Sequence, residues 1–118
     1  MATYSKSLLS GSVNGKQIVI TAITSGSATP LHTAVSGTGS LDEIYLYAYN
    51  DATASVLTSV LWGSTVEPDA VIRFTLPSRV GRTLIVDGKL LQNSLTVSAY
   101  ASVANVIIFD GFVNNIAP

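Results

Sequence analysis

The sequence predicts an all-β fold: a two-sheet antiparallel β-sandwich of jelly-roll type with about eight strands. Three observations predict it. Apolar and polar residues alternate with a period of two in many windows, and short turns rich in Gly, Ser, Pro, Asp and Asn separate these windows. No window has the sustained 3.6-residue apolar repeat and capping residues of a helix. Regular short strands of this kind fit two packed sheets.

The elements follow in order along the chain. Residues 1–15 have no clear pattern and are expected to form an arm or a peripheral strand beside one domain, 16–118. Strands are predicted at 16–24, 30–35, 43–50, 55–62, 71–77, 82–89, 94–101 and 105–114. The dipeptide Asp87-Gly88 is expected to end its strand as a hairpin turn.

The stretch "DEIYLYAYND" (42–51) places a tyrosine at every second position, at Tyr45, Tyr47 and Tyr49. Successive side chains of a strand point to opposite faces, so the tyrosines share one face. The alternate positions are aliphatic, namely Ile44, Leu46 and Ala48. We expect the aliphatic row to lie in the sandwich and the tyrosines to face a neighbour or the opposite edge of the fold.

The composition narrows the possible functions. Charged residues make up 11% of the chain, where about 25% is usual, and 15 serines and 12 threonines supply polar surface instead. A net charge of −1 with dispersed basic residues gives no reason to expect nucleic acid or an anionic membrane as partner. The N-terminus lacks the apolar run of a signal peptide, which predicts a protein made in the host cytoplasm.

No arrangement of residues predicts catalysis or a cofactor. There is no cysteine, and the single histidine, His32, is best explained as a strand-end or interface residue. The loop acids Glu67 and Asp69 are too few to predict a calcium site. No sequence pattern identifies a pair of carboxylates as catalytic. We therefore expect no enzyme activity, no metal and no cofactor.

Aromatic side chains are the best candidates for contact with a partner. The candidate protein-interface residues are Tyr45, Tyr47, Tyr49, Trp62 and Tyr100. Tyrosine and tryptophan provide rigid amphipathic contact area for proteins, and they also stack on sugar rings. Filling of an ordinary core or a half-exposed sheet remains an alternative for the tyrosine strand.

Four predicted strands lack a consistently polar face, at 16–24, 43–50, 55–62 and 105–114. A sandwich has only two inner faces, so some apolar surface must point outward. Contiguous exposed apolar surface generally marks an interaction site. The pattern favours an oligomer or a subunit of a larger assembly.

Residues 31–114, with turn regions such as "LLQNSLTVSAYAS" and "VIIFDGFVN", resemble the head decoration, or cement, proteins of tailed bacteriophages. The likeness lies in strand order, length and turn composition. It implies a jelly-roll-like sandwich on the outside of an icosahedral capsid, bound to the major capsid protein and to itself as a dimer or trimer. It implies no catalytic residues.

The resulting hypothesis is a structural virion protein on the capsid exterior that stabilises contacts between major capsid subunits. The alternative is a carbohydrate-binding β-sandwich or a phage fibre or head-fibre module, in which the tyrosines or Trp62 form a sugar platform.

Overall fold

The computed structural model of the chain describes residues 3–118 as nine strands in two antiparallel sheets that pack as a sandwich. The strands are β1 (Thr3–Leu8), β2 (Ile18–Val19), β3 (Thr29–Thr33), β4 (Leu41–Asn50), β5 (Val56–Trp62), β6 (Val71–Leu76), β7 (Thr83–Leu91), β8 (Thr96–Ala101) and β9 (Ile107–Ala117). One turn of 3-10 helix, Ser25–Ser27, precedes β3. The predicted all-β sandwich is confirmed.

The strand order follows a set of nested hairpins. The five-stranded sheet has the order β1-β9-β4-β7, with β2 also paired to β9, and the four-stranded sheet has the order β3-β8-β5-β6. Four antiparallel pairs (β1 with β9, β3 with β8, β4 with β7, β5 with β6) lie one inside the next along the chain. Together the four pairs form one long hairpin, and wrapping this hairpin into two layers produces the jelly roll.

The core lies between the sheets and follows the alternation of each strand. Along β4 every second residue is buried, including Ile44, Leu46 and Ala48, while the tyrosines between them are only partly covered. The expected inner row is therefore the aliphatic one. Phe109 of β9, which pairs with Ala48, is the largest fully buried side chain in the described part of the chain.

The prediction of one long strand over 16–24 was wrong. Only Ile18–Val19 pairs regularly, with β9 of the five-stranded sheet. The amide of Ile20 then donates to Ile107, whereas the carbonyl of Ala22 accepts from Ala101 in the four-stranded sheet. The segment crosses from one layer to the other, so no continuous ladder can form.

The prediction of a hairpin turn at Asp87-Gly88 was also wrong, because β7 continues through both residues. Ile44 pairs with Lys89 and Tyr45 with Asp87, which leaves Gly88 as an extra residue with φ of 74°. A glycine with positive φ in this position forms a β-bulge. The same local conformation suits a turn or a bulge.

The first described residues form an edge strand. All six residues of β1 are exposed although the strand pairs with β9 along its whole length. Leu9 follows directly and is fully buried, and the amide of Gly11 donates to Leu31 of β3. The chain is thus anchored in the core immediately after β1.

Within residues 3–118 no helix has the length and apolar character needed to cross a membrane.

Candidate protein-interaction face

The outward side of the five-stranded sheet is rich in aromatic and aliphatic side chains, and we call it the tyrosine face. Strand register places the following outward residues on it: Tyr4, Lys6, Leu8, Val19, Glu43, Tyr45, Tyr47, Tyr49, Leu84, Asp87, Leu90, Ile108, Asp110, Phe112 and Asn114. Five of its large apolar or aromatic side chains, Tyr4, Leu8, Val19, Leu84 and Leu90, are strongly exposed. The sheet thus presents a mostly apolar face outside the core.

The centre of the tyrosine face is a stack of rings. Tyr45 lies opposite Phe112 in the strand register, and their ring centroids are 4.7 Å apart with an angle of 15° between the planes. The Nζ atom of Lys6 lies 4.3 Å from the Phe112 centroid. Cross-strand aromatic pairs and cation–π contacts of this kind hold side chains in fixed positions.

A second cation covers the middle tyrosine. The Arg82 guanidinium carbon lies 3.6 Å from the Tyr47 ring centroid, and its Nε donates to both carboxylate oxygens of Asp110 at 2.9 Å. Asp110 is the cross-strand neighbour of Tyr47. The arginine therefore has an ion-pair partner and an aromatic partner on the same face.

The hydroxyl groups of the outer two tyrosines donate to carboxylates on their own strand or just beyond it. Tyr45 donates to Glu43 and Tyr49 donates to Asp51, each at 3.2 Å. Partial burial raises the pKa of Tyr45, and its hydrogen bond to Glu43 raises the pKa further. Asn114 also donates to Glu43, at 3.1 Å. These bonds orient the rings.

The other two candidate residues lie elsewhere. Trp62 occupies the end of β5, packs partly against the core, and has Lys89 Nζ 5.6 Å from its ring centroid. Tyr100 of β8 pairs with Ser59 and projects from the outer side of the four-stranded sheet. The structure brings Tyr45, Tyr47 and Tyr49 together and separates Trp62 and Tyr100 from them.

Tyr100 belongs to a polar cluster under the 63–70 loop. Its hydroxyl donates to one oxygen of Glu67, while Arg73 binds the other oxygen at 2.6 Å and also bonds to Ser59. The hydrogen bond from Tyr100, with help from Arg73, lowers the pKa of Glu67. Glu67 therefore links the 63–70 loop to the four-stranded sheet through hydrogen bonds.

A buried polar network joins the two sheets. His32 of β3 and Asp42 of β4 are both nearly inaccessible, and Nε2 of His32 lies 2.8 Å from an Asp42 oxygen. Asp42 also accepts from Asn115 and from the Val35 amide. Burial alone would raise the pKa of Asp42, but the bonds from Asn115, His32 and Val35 outweigh it and lower the pKa.

This network differs from a Ser-His-Asp hydrolase site. Nδ1 of His32 accepts a hydrogen bond from the backbone amide of Ser10 at 2.9 Å, so the ring is the tautomer that donates from Nε2 to Asp42. The Ser10 hydroxyl instead accepts from the Thr33 amide. No ring nitrogen is left to take a proton from a serine, as a general base must.

Within residues 3–118 there is also no group of three His, Cys, Asp or Glu placed to hold a metal ion.

Sequence reasoning missed several residues of the tyrosine face. Phe112, Lys6 and Arg82 come from three separate parts of the chain, and each contacts a ring only because the sheet brings their strands together. Both arginines that precede β7 pair with acids, since Nε of Arg79 lies 3.8 Å from an Asp51 oxygen and Arg82 binds Asp110. A comparison with protein-family models, curated proteins and solved structures finds no match to this chain.

Proposed function

We propose that the chain is a structural virion protein that binds the outer surface of an icosahedral phage capsid and stabilises contacts between major capsid subunits. The observation that carries the proposal is the tyrosine face. It is a sheet surface with five strongly exposed large side chains outside the core. The resemblance of residues 31–114 to phage cement proteins supplies the kind of partner.

The size of the tyrosine face suits a lasting protein contact. Four strands spaced about 4.8 Å apart, with a ten-residue central strand, cover a projected area of roughly 600 Å². The accessible area of such a surface is larger than its projection, and a stable interface needs about 800 Å² from each partner. The face is therefore of the same order of size as the surface that one partner contributes to a lasting interface.

The chemistry of the tyrosine face also favours a protein partner. Aromatic rings held in place by neighbours lose little conformational entropy on binding, and Tyr and Phe are enriched in interface cores. Arg82 already has Asp110 as its counter-ion, so docking does not leave that charge unpaired.

The sugar-platform alternative is less well supported at these rings. A sugar stacks on an open aromatic face, but Arg82 covers one face of Tyr47 and Phe112 stacks on Tyr45. Trp62 and Tyr100 lie apart from the tyrosine row, so the five candidate residues do not form one platform.

Two exposed leucines provide a matched test. Leu84 lies on the tyrosine face beside Tyr47, and Leu57 lies on the outer side of the four-stranded sheet; they are 45% and 46% exposed. The partner is the major capsid protein encoded in the same genome, assembled into shells. We expect Leu84→Asp to reduce co-sedimentation with the shells at least tenfold, and Leu57→Asp to bind as the unmodified chain does.

The same experiment measures stabilisation. Shells loaded with the unmodified chain should melt at a higher temperature than bare shells, and shells mixed with Leu84→Asp should not. Absence of binding by the unmodified chain refutes the proposed function. Equal loss with Leu57→Asp refutes the assignment of the tyrosine face.

A further inference from the structure

A groove lies on the opposite side of the molecule from the tyrosine face. It has a volume of about 510 Å³ and crosses the outer side of the four-stranded sheet at β8. Thr96 and Ser98 of β8 belong to its floor, the 3-10 turn and the start of β3 lie on one side, and the loop that follows β5 lies on the other. A volume of roughly 300–1,000 Å³ is typical of small-molecule sites.

The lining is neutral and rich in hydroxyl groups. Six of the residues that line the groove carry one: Ser25, Ser64, Thr65, Ser94, Thr96 and Ser98. Among residues 3–118 the lining contains no charged residue and no aromatic residue, and Leu95 is its one large apolar side chain. A charged ligand would find no counter-ion here, whereas hydroxyl groups can both donate to and accept from a neutral polar ligand.

Ser98 gives the groove a specific polar contact point. The residue is only 7% exposed, yet its hydroxyl has no hydrogen-bond partner in the described part of the chain. In residues 3–118 no side-chain polar atom is both fully enclosed and without a partner, so this hydroxyl must open into the groove. A hydroxyl that opens into the groove is free to bond to water or to an occupant, so a ligand in the groove can use it as a polar contact.

We infer that the groove binds a neutral oligosaccharide. Sugar hydroxyls match a lining whose groups can each donate or accept, and Leu95 with Pro30 and Ala28 offers apolar area to the C–H side of a ring. A peptide strand fits less well: the floor is a sheet face whose backbone groups are already paired, and the lining has few large apolar side chains to receive peptide anchors.

The inference does not depend on the proposed function. The groove and the tyrosine face are on opposite sheets, so a capsid and a glycan could be bound at the same time. Failure of capsid binding would leave the groove intact, and failure of glycan binding would leave the tyrosine face intact.

The test is an array of neutral and acidic glycans probed with the full chain, followed by NMR titration of the isotope-labelled protein with maltotriose, cellotriose and tri-N-acetylchitotriose. We expect neutral glycans alone to bind. Amide signals should shift in 25–29, 63–65 and 94–98, and those of the tyrosine strand should not.

Two variants locate the contact. Ser98→Val should raise the Kd for whichever neutral trisaccharide binds by roughly fivefold or more, because one hydrogen bond to the ligand is lost. Thr65→Ala, on an exposed wall, should weaken binding without a risk to folding, and Ser102→Ala, outside the groove, should bind as the unmodified chain does. The inference is overturned if no neutral glycan shifts the groove signals, if only acidic glycans bind, if the shifts fall on the tyrosine face, or if a neutral hexapeptide binds the groove as tightly.

Discussion

Asp42 is the residue on which the interior polar network depends. Its carboxylate accepts hydrogen bonds from His32, Asn115 and the Val35 amide, and so connects β3, β9 and the loop before β4. A buried carboxylate with this many donors is stabilised in its charged form. Its pKa is lower in the folded chain than in the unfolded chain, so the folded state gains stability when Asp42 is ionised.

This gives a pH prediction. The contribution of Asp42 is fully present above the unfolded pKa of about 3.9 and is lost as the pH falls through the lower folded value. Asp42→Asn should destabilise the chain by about 1–3 kcal/mol at pH 7, the cost of a lost charged acceptor. Urea denaturation should show the variant and the unmodified chain converging as the pH drops below 4. Asp69→Asn, in an exposed loop, is the control and should change little.

Gly111 offers a second prediction at a single residue. A β-carbon there would overlap the carbonyl oxygen of Tyr45 on the neighbouring strand, so the two central strands could not keep their separation. Gly111→Ala should lower the free energy of unfolding by more than about 3 kcal/mol or prevent folding. Gly39→Ala, with open space around the new methyl group, should leave chemical denaturation unchanged within about 0.5 kcal/mol. A stable Gly111→Ala protein would contradict the strand spacing.

Individual strands show where the sequence pattern is enough to predict the structure and where it is not. In β4 the alternation predicted both the strand and its inner face, because this strand has a partner on each side and the core on one face only. The pattern failed at 16–24, where the chain changes sheets between Ile20 and Ala22. It failed at Gly88 because turns and bulges use the same backbone conformation. The bond from His32 to Asp42 joins two sheets, and no local spacing encodes it.

The chain leaves the exposed strand β1 and enters the core between Leu8 and Leu9. Substitutions at these two adjacent leucines should therefore have different effects on stability. Leu8 is 53% exposed on the tyrosine face and Leu9 is 1% exposed in the core. Leu9→Ala should cost about 2–5 kcal/mol of stability through the cavity it leaves. Leu8→Ala should change stability by about 0.5 kcal/mol or less. Thermal and urea denaturation of the two variants would check this, and similar losses from both would mean that β1 is more deeply packed than described.

At the scale of the whole molecule, apolar surface is not confined to one sheet. Within residues 3–118 the tyrosine face holds five of the twelve strongly exposed large hydrophobic residues, and the other seven are spread over loops and the second sheet. With 11% charged residues and a mean hydropathy of +0.46, the chain has little charge to keep copies apart. This surface is what the hypothesis of a self-associating virion subunit requires.

We therefore expect the purified chain to be a dimer or a trimer. Light scattering coupled to gel filtration over a range of concentrations measures the mass directly, against 12.3 kDa for one chain. A strict monomer at the highest concentration would count against the cement hypothesis. Leu84→Asp, measured in parallel, would show whether the tyrosine face mediates self-association as well as capsid binding.

The pairing of β1 with β9 has a practical consequence. Thr3 of the edge strand β1 lies opposite Ala117 of β9, so the beginning of the first strand and the end of the last strand are neighbours in one sheet. A short linker could join them, and new ends could be opened in the exposed 36–40 loop to give a circular permutant with the same sheets. Domains fused before Thr3 and after Ala117 would emerge at the same place, which makes this fold suitable for displaying two fused domains side by side.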